Sequence, residues 1–562
     1  MLKVRAGVVV LFIAGTLLTI FLVLLSQPNS AGENKSLSKH ESASFHWPGA
    51  SQALADNPAA LSNVRVLTYH NDVSRSGLNP EEKILTPANV SSESFGKVGF
   101  LSVDGLVDAQ PLYVSNVAVA GHSHNVVFAA TEHDSVYAFD ADNFAQLWHV
   151  SVLGANETPS DDRGCAQVSP EIGITATPVI AFNTGGRGLM YLVAMSKDKD
   201  GNYFQRLHAL DITTGGEVAG SPATIAATFP NLLGNITFDP KEYKERASLL
   251  FWDGKIYTSW ASHCDNGRYT GWVMGYSAAT LEQASVLNVT PNGSDGAIWM
   301  SGAGPAADAQ GNIYLLDGNG TFDNGLNTAG FPINGDFGNG FLKLSANANN
   351  LTVADYFEMH NTNAESNADR DLGSGGALVL PDLQDSSGKT WQLAVGAGKD
   401  GHIYVVNRNS MGKFNSKQDN AIYQEVDHAL VGGVYAMPAY FGSTVYFGAV
   451  GDALKAFSIV NANLVPTPTS MTSTKFAYPG TTPSISANGA ADGIAWAVES
   501  RGSDAGVLHA YEASNLANEL YNSNRSGVRD NFADNKFIAP MIANGKVFIG
   551  TPTGVAVFGL LH

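Results

Sequence analysis

Residues 125–140 read Asn-Val-Val-Phe-Ala-Ala-Thr-Glu-His-Asp-Ser-Val-Tyr-Ala-Phe-Asp, two short apolar stretches joined by a polar turn. Such stretches, rich in β-branched and aromatic residues on either side of a polar turn, are typical of a β-hairpin. The first stretch recurs along the rest of the chain, which indicates a repeat architecture. Its eight copies are residues 125–131, 188–195, 254–261, 311–318, 391–398, 443–450, 493–500 and 545–552.

Further strands surround each copy of this stretch. Preceding stretches such as residues 110–114 and 176–180 often hold Pro, and following stretches such as residues 206–211 are again apolar. Several copies have a fourth strand, as in residues 140–148. Four short antiparallel strands form a propeller blade, and neighbouring blades must stack around an axis to bury both faces. The pattern therefore predicts an all-β, eight-bladed β-propeller of four-stranded antiparallel blades.

The two ends of the repeat region complement each other. The last copy ends with residues 555–560 and lacks a fourth strand, whereas a spare strand at residues 95–103 precedes the first copy. We expect this N-terminal strand to complete the eighth blade and close the ring. A solenoid or a pair of sandwiches are the alternative architectures, and closure by the two chain ends favours the propeller.

Composition narrows the function classes. The 562 residues include 32 Lys and Arg against 51 Asp and Glu, a net charge of −19, which repels phosphate backbones and disfavours nucleic-acid binding. Two cysteines exclude a disulfide-dense scaffold, a Cys-rich zinc site and a Cys-ligated iron–sulfur cluster. Cys165 and Cys264 are expected in loops on the same face of nearby blades, so both a disulfide and two free thiols remain open.

The N-terminus predicts export. Lys3 and Arg5 precede an uncharged run over residues 6–25, long enough at 1.5 Å per residue for a hydrocarbon core of roughly 30 Å. We interpret residues 1–26 as a signal anchor or a cleaved signal peptide, residues 27–62 as a flexible linker and residues 63–562 as the propeller. The propeller is then periplasmic or extracellular, with the N-terminal helix as its one membrane contact if that helix is retained as an anchor in the inner membrane.

Polar groups collect in two kinds of loop. In a propeller, the loops between second and third strands and the loops between blades lie on one face around the central channel. The loops between second and third strands hold most of the ionisable groups that are candidates for function, so the sequence predicts a ligand pocket at that mouth. Each such residue has an ordinary turn role as its alternative. The pocket candidates are His133, Asp134, His263, Asp265 and Arg268.

The repeats resemble those of the pyrroloquinoline quinone (PQQ) family. Residues 138–148 and 209–215 are similar to its signature, Ala-x-Asp-x-x-Thr-Gly followed by Trp, and the resemblance covers about residues 64–560. It implies the propeller fold. The family includes quinone-dependent alcohol dehydrogenases and also cofactor-free scaffolds such as the outer-membrane assembly lipoprotein, so it leaves the function open.

Three motifs resemble site motifs of the alcohol dehydrogenases in that family. A Gly-Asn motif at the end of a fourth-blade strand implies that Asn319 binds Ca²⁺. A Gly-Asp motif before the next strand implies that Asp336 is the catalytic base and a calcium ligand. Lys399 matches the cation beside the quinone, and Asp400 follows it as a further candidate for cofactor binding.

Two family features have displaced counterparts. The indole that forms the floor under the quinone is expected four residues before Asp308, where this chain has Gly304, and the nearest indole is that of Trp299. The family's Glu ligand in the second blade has Asp198 or Asp200 in its place, and we take Asp200 as the metal candidate.

The sequence thus supports three functions. The first is an exported quinoprotein that oxidises an alcohol or sugar with PQQ and calcium, and it needs an external electron acceptor because the chain has no Cys-x-x-Cys-His haem motif. The second is a cofactor-free propeller of the cell envelope that binds a small ligand or a partner protein. The third is a hydrolase or lyase with His133 and His263 as an acid–base pair.

Overall fold

Eight antiparallel sheets follow one another in the computed structural model, which describes residues 63–347, 350–502 and 505–561. Within each sheet the strands are arranged largely in chain order, from an inner strand beside the axis to an outer strand. Each apolar stretch of the sequence repeat forms the second strand of a blade. The prediction of an all-β, eight-bladed β-propeller is confirmed.

The first four blades each use four strands that are consecutive in the chain. Blade 1 has Leu112–Val119, His122–Ala130, Ser135–Asp140 and Gln146–Ser151; blade 2 has Val179–Phe182, Gly188–Asp198, Tyr203–Asp211 and Ala223–Thr224; blade 3 has Leu250–Trp252, Lys255–Ser262, Trp272–Ser277 and Gln283–Asn288; blade 4 has Ala306–Ala307, Asn312–Leu316, Phe341–Asn347 and Asn350–Glu358.

The last four blades have the same four-stranded form, but short strands interrupt the chain order in blades 5 and 6. The outer strand of blade 8 comes from the N-terminal side and pairs antiparallel with Gly554–Leu560. Blade 5 has Leu378–Val379, Leu393–Ala397, Ile403–Asn407 and Gln424–Val426; blade 6 has Ala439–Phe441, Thr444–Gly448, Asp452–Val460 and Ser470–Phe476; blade 7 has Ser484–Asn488, Ala491–Glu499, Ala505–Glu512 and Glu519–Asn522; blade 8 has Met541–Ala543, Lys546–Thr551, Gly554–Leu560 and Phe95–Ser102.

Shorter elements lie at the blade edges and in the connections. The short strands are Arg65–Val66, Leu78–Asn79, Glu157–Asp161, Glu171–Ile172, Thr228–Asn231, Gly234–Thr237, Tyr243–Glu245, Leu383–Gln384, Thr390–Trp391, Lys413–Phe414, Asn463–Leu464 and Phe532–Ala533. The helical turns, all in loops between blades, are Met300–Gly302, Thr362–Asn367, Leu372–Ser374 and Ser523–Asp530.

Packing between blades explains why the middle strands are apolar throughout. A blade is covered on both faces by its neighbours, so all six residues of Ser135–Asp140 are buried. Val127 of blade 1 and Phe548 of blade 8 belong to one buried cluster, so the first and last blades pack against each other as well.

Residues 64–82, which we call the strap, run along the inner strands and hydrogen-bond to all eight blades in turn. Backbone carbonyls of the strap accept most of these bonds, at the strand edges that no other strand pairs. The N–H groups that donate to strap carbonyls are those of Ser115, Ile180, Ala307, Val379, Tyr440 and Ile485. Strap side chains make the other bonds: Glu82 accepts the N–H of Gly545, and Arg75 and Asn79 donate to the carbonyls of Leu249 and Ile542.

Arg75 anchors the strap to the residues that precede the inner strands of blades 3 and 4. Its guanidinium is fully buried and donates to the carbonyl oxygens of Leu249 and Pro305 at 3.1 and 2.9 Å, and to two groups of the strap itself. Burial lowers the pKa of Arg75 to about 10, so the side chain stays charged at neutral pH. Because charge-assisted bonds to carbonyls replace water, the buried cation holds blades 3 and 4 to the strap.

The predicted N-terminal segments, residues 1–26 and 27–62, lie outside the described residues. Within the part of the chain that is described, no helix has both the length and the apolar character needed to cross a membrane.

Candidate functional site

Lys399 lies in the loop between the second and third strands of blade 5, held by two carboxylates. Its Nζ is 2.8 Å from Asp369 Oδ1 and 2.5 Å from Asp371 Oδ2. Burial lowers the pKa of Lys399, but the attraction of Asp371 and the hydrogen bonds with both carboxylates outweigh it, so the pKa is raised overall. The ammonium group is therefore fully charged at neutral pH.

Asp371 lies between this cation and a backbone donor. Its Oδ1 accepts the N–H of Asn319 at 2.6 Å, while Oδ2 faces Lys399. Burial raises the pKa of Asp371, and Lys399 with the Asn319 N–H lowers it in part. A buried carboxylate with a raised pKa is a better proton acceptor than an exposed one.

Four aromatic rings form an arc beside Lys399, each from a different loop between blades. The ring of Trp299 is 6.0 Å from that of Tyr435, which is 5.4 Å from Tyr478, which is 5.9 Å from Phe537. The Nζ of Lys399 lies 5.7 Å from the Trp299 ring and 6.0 Å from the Tyr435 ring. We call these four rings the aromatic arc.

Arg246 occupies the other end of the aromatic arc. Its guanidinium lies 5.1 Å from the ring of Phe537 and 3.6 Å from a carboxylate oxygen of Asp108. Both Arg246 and Lys399 act electrostatically on Tyr478, in the middle of the arc. The mouth of the channel is thus a continuous aromatic surface with a cation at each end.

A cavity of about 470 Å³ adjoins the arc at Phe537. Glu132, one of its lining residues, is buried; its Oε2 accepts hydrogen bonds from the N–H of Gly173 and the hydroxyl of Thr175. Burial, with Asp108 as a further cause, raises the pKa of Glu132, so this carboxyl takes up a proton more readily than an exposed one. The other acidic residues along the cavity are Asp104, Asp108 and Glu171.

The structure brings together three of the residues predicted to bind a cofactor: Asn319, Lys399 and Trp299. Asn319 Nδ2 is 3.4 Å from the same Asp369 oxygen that Lys399 contacts. A Cβ atom built on Gly318 would lie 3.1 Å from Asp371 Oδ1 and 3.4 Å from Trp299 Nε1. The loops of blades 3, 4 and 5 therefore converge on one point.

Asp336, predicted as catalytic base and calcium ligand, is committed to another loop. Its Oδ1 accepts the N–H groups of Asn292 and Gly293 at 2.8 and 2.9 Å, and Arg268 donates to the carbonyl of Gly293 at 2.7 Å. The backbone carbonyl of Asp336 accepts the N–H of Asp323 at 3.1 Å, which holds the backbone while the carboxylate faces Asn292 and Gly293. Asp336 and Arg268 thus clamp a loop.

Asp400 and Asp200 also have partners away from Lys399. Asp400 accepts the hydroxyl of Tyr404 at 2.6 Å and the N–H of His402 at 3.1 Å. Asp200 is exposed at a hairpin tip and pairs with Lys199 at 2.8 Å. The three predicted calcium ligands, Asn319, Asp336 and Asp200, therefore have separate surroundings.

The remaining pocket candidates each have partners of their own. His133 Nδ1 is 2.8 Å from Glu171, whereas His263 Nε2 contacts the carbonyl of Asp162 at 3.0 Å, so the predicted acid–base pair of histidines is not in mutual contact. Burial lowers the pKa of His263 to about 4, which keeps it neutral. Asp134 is buried, with its pKa raised well above the usual range by burial and by Glu132, and Asp265 accepts the Ser262 hydroxyl at 2.7 Å.

Cys165 and Cys264 are joined in a disulfide, with their Cα atoms 6.2 Å apart. The bond connects the loop between blades 1 and 2 to a loop of blade 3. It fixes two long loops beside the mouth and resolves the alternative that the sequence left open.

The position of the family's floor indole is closed in this chain. A Cβ atom on Gly304 would lie 2.6 Å from Arg75 Nη2 and 2.8 Å from the carbonyl of Ser248, so no larger side chain fits there. Trp299 supplies an indole at the mouth, beside Lys399. The guanidinium of Arg75, in the strap, thus occupies the space that a side chain at position 304 would need.

Sequence reasoning missed Asp369, Asp371, Arg246 and the three other rings of the aromatic arc. All of them lie in loops between blades, which the topology assigns to the mouth. The sequence signal that could have identified these residues is an aromatic or charged side chain a few residues before the first strand of a blade.

The fold is similar to that of solved quinoprotein dehydrogenases. The quinohemoprotein alcohol dehydrogenase from Comamonas testosteroni matches with a TM-score of 0.56 and 13% identity, over 88% of this chain and 80% of that one. The quinohemoprotein alcohol dehydrogenase ADHIIG from Pseudomonas putida HK5 gives 0.57 and 13% over the same shares, and a europium-containing methanol dehydrogenase gives 0.54 and 12% over 88% and 98%. No family model and no curated protein matches the sequence. The likeness shows the fold.

Proposed function

We propose that this chain is an exported, quinoprotein-like oxidoreductase that removes hydride and proton from an alcohol or sugar at the mouth of the propeller. The observation that carries the proposal is the Lys399–Asp371 pair beside the indole of Trp299. It joins a buried proton acceptor, a cation and an aromatic plane at the place where ligands of propellers bind. The fold similarity to alcohol and methanol dehydrogenases supports the same reading.

The donor chemistry of the mouth fits PQQ and a hard cation. PQQ is planar with three carboxylates, and the aromatic arc has Lys399 and Arg246 as its two cations. Asn319 and Asp369 offer amide and carboxylate oxygens, which suit Ca²⁺. When bound, the quinone supplies a hydride acceptor and the calcium ion a Lewis acid.

The residues of this chain have distinct parts in such a reaction. Asp371 takes the proton of the substrate hydroxyl at Oδ2, the oxygen that faces Lys399. Lys399 orients the substrate oxygen and stabilises its developing negative charge. The arc excludes water from one side of the site, and the Asn319 N–H fixes Oδ1, which keeps Oδ2 beside Lys399, where the substrate oxygen would bind.

Export and the electron acceptor complete the proposal. The Cys165–Cys264 disulfide supports an oxidising compartment, periplasmic or extracellular, with residues 1–26 as signal or membrane anchor. Electrons leave to a separate acceptor, since the sequence carries no motif for covalent haem.

The test is reconstitution of the full chain with PQQ and CaCl₂, followed by dialysis and dye-linked oxidation of primary alcohols and aldoses. We expect retained quinone absorbance and dye reduction. Lys399→Met should hold quinone about tenfold more weakly, because a charge-assisted hydrogen bond is lost. Asp336→Asn should retain turnover and lose thermal stability. Loss of all quinone from the wild-type chain on dialysis would refute the proposal.

A binding propeller without a cofactor is the second candidate. Two observations favour it: Arg75 closes the space behind Gly304, and Lys399 is already paired with two carboxylates. In that case the mouth takes a small ligand or an envelope protein. Wild-type protein that loses PQQ completely, yet shows a saturable shift in Trp fluorescence with a sugar panel that Trp299→Phe removes, would establish it.

A further inference from the structure

The outer two strands of blade 5 place four side chains on one face. In their antiparallel register Tyr404 lies opposite Glu425, and Ile403 lies opposite Val426. One step further, His402 faces Asp427. Since side chains alternate along a strand, His402 and Tyr404 share a face with Glu425 and Asp427.

Two carboxylates approach the same nitrogen of His402. Its Nδ1 is 2.9 Å from Glu425 Oε1 and 3.7 Å from Asp427 Oδ1. His428 adds a second imidazole, with its ring centre 4.6 Å from that of His402. Across the ranges that the structure covers, His402, Glu425 and Asp427 form the single group of three such side chains whose ligand atoms lie within 4.8 Å of one another.

Other histidines of the propeller show why this arrangement differs from an ion pair. His133 and His124 each contact one carboxylate. His509 contacts two, but through opposite ring nitrogens, Nδ1 to Glu519 and Nε2 to Glu499. A protonated imidazole satisfies two carboxylates in that geometry. At His402 both face Nδ1, and one proton cannot serve two acceptors equally, whereas a metal ion can bind all three groups.

The ring of His402 also has a neighbouring ring that fixes its orientation. Tyr404 stacks on it, with ring centres 6.1 Å apart and planes inclined by 20°. Asp400 accepts the backbone N–H of His402 at Oδ1 and the hydroxyl of Tyr404 at Oδ2, so it fixes the backbone that carries the imidazole and the ring that stacks on it. Such outer contacts fix the orientation of ligating residues in metal sites. They also give Asp400 a role that the sequence did not indicate.

We propose that His402, Glu425 and Asp427 bind a divalent transition-metal ion of the Zn²⁺ class. One imidazole and two carboxylates, with His428 or water as the fourth ligand, suit the four-coordinate geometry that Zn²⁺ prefers. The site lies on the outer part of blade 5 and does not depend on the proposed oxidation.

The test uses the full chain, stripped of metals with a chelator and titrated with Zn²⁺ in competition with a chromophoric chelator. We expect one saturable site, and visible absorption bands when Co²⁺ replaces Zn²⁺. His402→Ala should remove the cobalt bands. Asp427→Asn, at a side chain that is 73% exposed, should weaken Zn²⁺ binding at least about tenfold without affecting folding.

His133→Ala is the matched control, because it removes a histidine paired with one Glu, and it should leave the affinity unchanged. Equal Zn²⁺ affinity in wild type, His402→Ala and Asp427→Asn would place the ion elsewhere and overturn the proposal. Absence of saturable binding in the wild type would overturn it as well.

Discussion

Two cations in this propeller are each held between two carboxylates, in contrasting settings. Lys399 lies at the mouth, and one of its partners, Asp369, is 78% exposed. His509 lies inside blade 7, where Glu499 and Glu519 are only 14% and 11% exposed. The two groups therefore show the same charge pattern, one with a partner in contact with solvent and the other in the interior.

The surroundings give the two groups different uses. Glu499 and Glu519 pair further with Arg501 and Arg525, so the interior group has every charge engaged. Lys399 instead faces aromatic rings and a solvated carboxylate that a ligand can displace. The comparison indicates that the paired charges of His509, in the core, contribute to stability, whereas those of Lys399, where loops meet at the mouth, are available for chemistry.

The largest expected effect is that of Asp371→Asn on catalysis. Removing the proton acceptor should lower kcat of the reconstituted chain by roughly 10²–10⁴. Thermal stability should also fall, because the buried Lys399 loses one of its two carboxylate partners. The loss of kcat is therefore measured at a temperature at which urea unfolding shows the variant to be fully folded. Steady-state kinetics measure the effect. A kcat within a factor of a few of wild type would remove Asp371 from the mechanism.

In the interior group, His509→Leu should destabilise the fold by about 3–5 kcal/mol, because two buried carboxylates lose their shared cation. Urea unfolding measures this loss. His133→Leu, which breaks a half-exposed pair with Glu171, is the control and should cost less than about 1 kcal/mol. Similar losses for both variants would contradict the distinction between interior and mouth.

The interior group should also make stability depend on pH. Burial lowers the pKa of His509, but hydrogen bonds with Glu499 and Glu519 raise it overall. The contribution of His509 to the free energy of unfolding is therefore complete below about pH 6.5 and is lost as the pH rises through the raised pKa. The hydrogen bond with His509 lowers the pKa of Glu499 to about 2. The contribution of Glu499 to stability is therefore present above about pH 4.3 and is lost in acid.

Melting temperatures between pH 3 and 9 test this dependence, with wild type compared to His509→Leu. The difference between the two proteins should be greatest at about pH 5–6, between the ordinary values for Glu and His. A difference that does not change with pH would show that the group is not charged as described.

The smallest expected effect belongs to Asp369→Asn at the mouth. Because Asp369 is mostly exposed, its pair with Lys399 should contribute less than about 1 kcal/mol to stability. Calcium retention by the reconstituted chain should fall instead, since an anionic oxygen donor is removed. Metal analysis after dialysis distinguishes the two effects, and unchanged calcium would exclude Asp369 as a ligand.

The fold could be predicted because the second strand of each blade has a local pattern. Residues 125–131 and 311–318 overlap the observed strands His122–Ala130 and Asn312–Leu316, since apolar runs between turns depend only on neighbouring residues. The strap could not be found in this way. Its residues bond to eight different blades, and no short window of sequence contains those partners.

For the same reason, the site could be predicted from the sequence only in part. Asn319 and Lys399 follow strands with a recognisable motif, whereas Asp371 follows a helical turn and reaches Asn319 across 52 residues. Asp336 looked equally suitable by motif, but its carboxylate faces the loop at Asn292 and Gly293. The direction of a side chain in a long loop depends on tertiary contacts that spacing does not encode.

The strap has a consequence for the order of folding. His70 bonds to the carbonyl of Pro483 across 413 residues, and Asn79 bonds to that of Ile542 across 463. Residues synthesised before every blade therefore acquire their last partners only when the final blade exists. Such distant contacts slow folding and leave the early blades incompletely sealed during synthesis. Completion of the strap's contacts, rather than of any single blade, marks the point at which this chain becomes native.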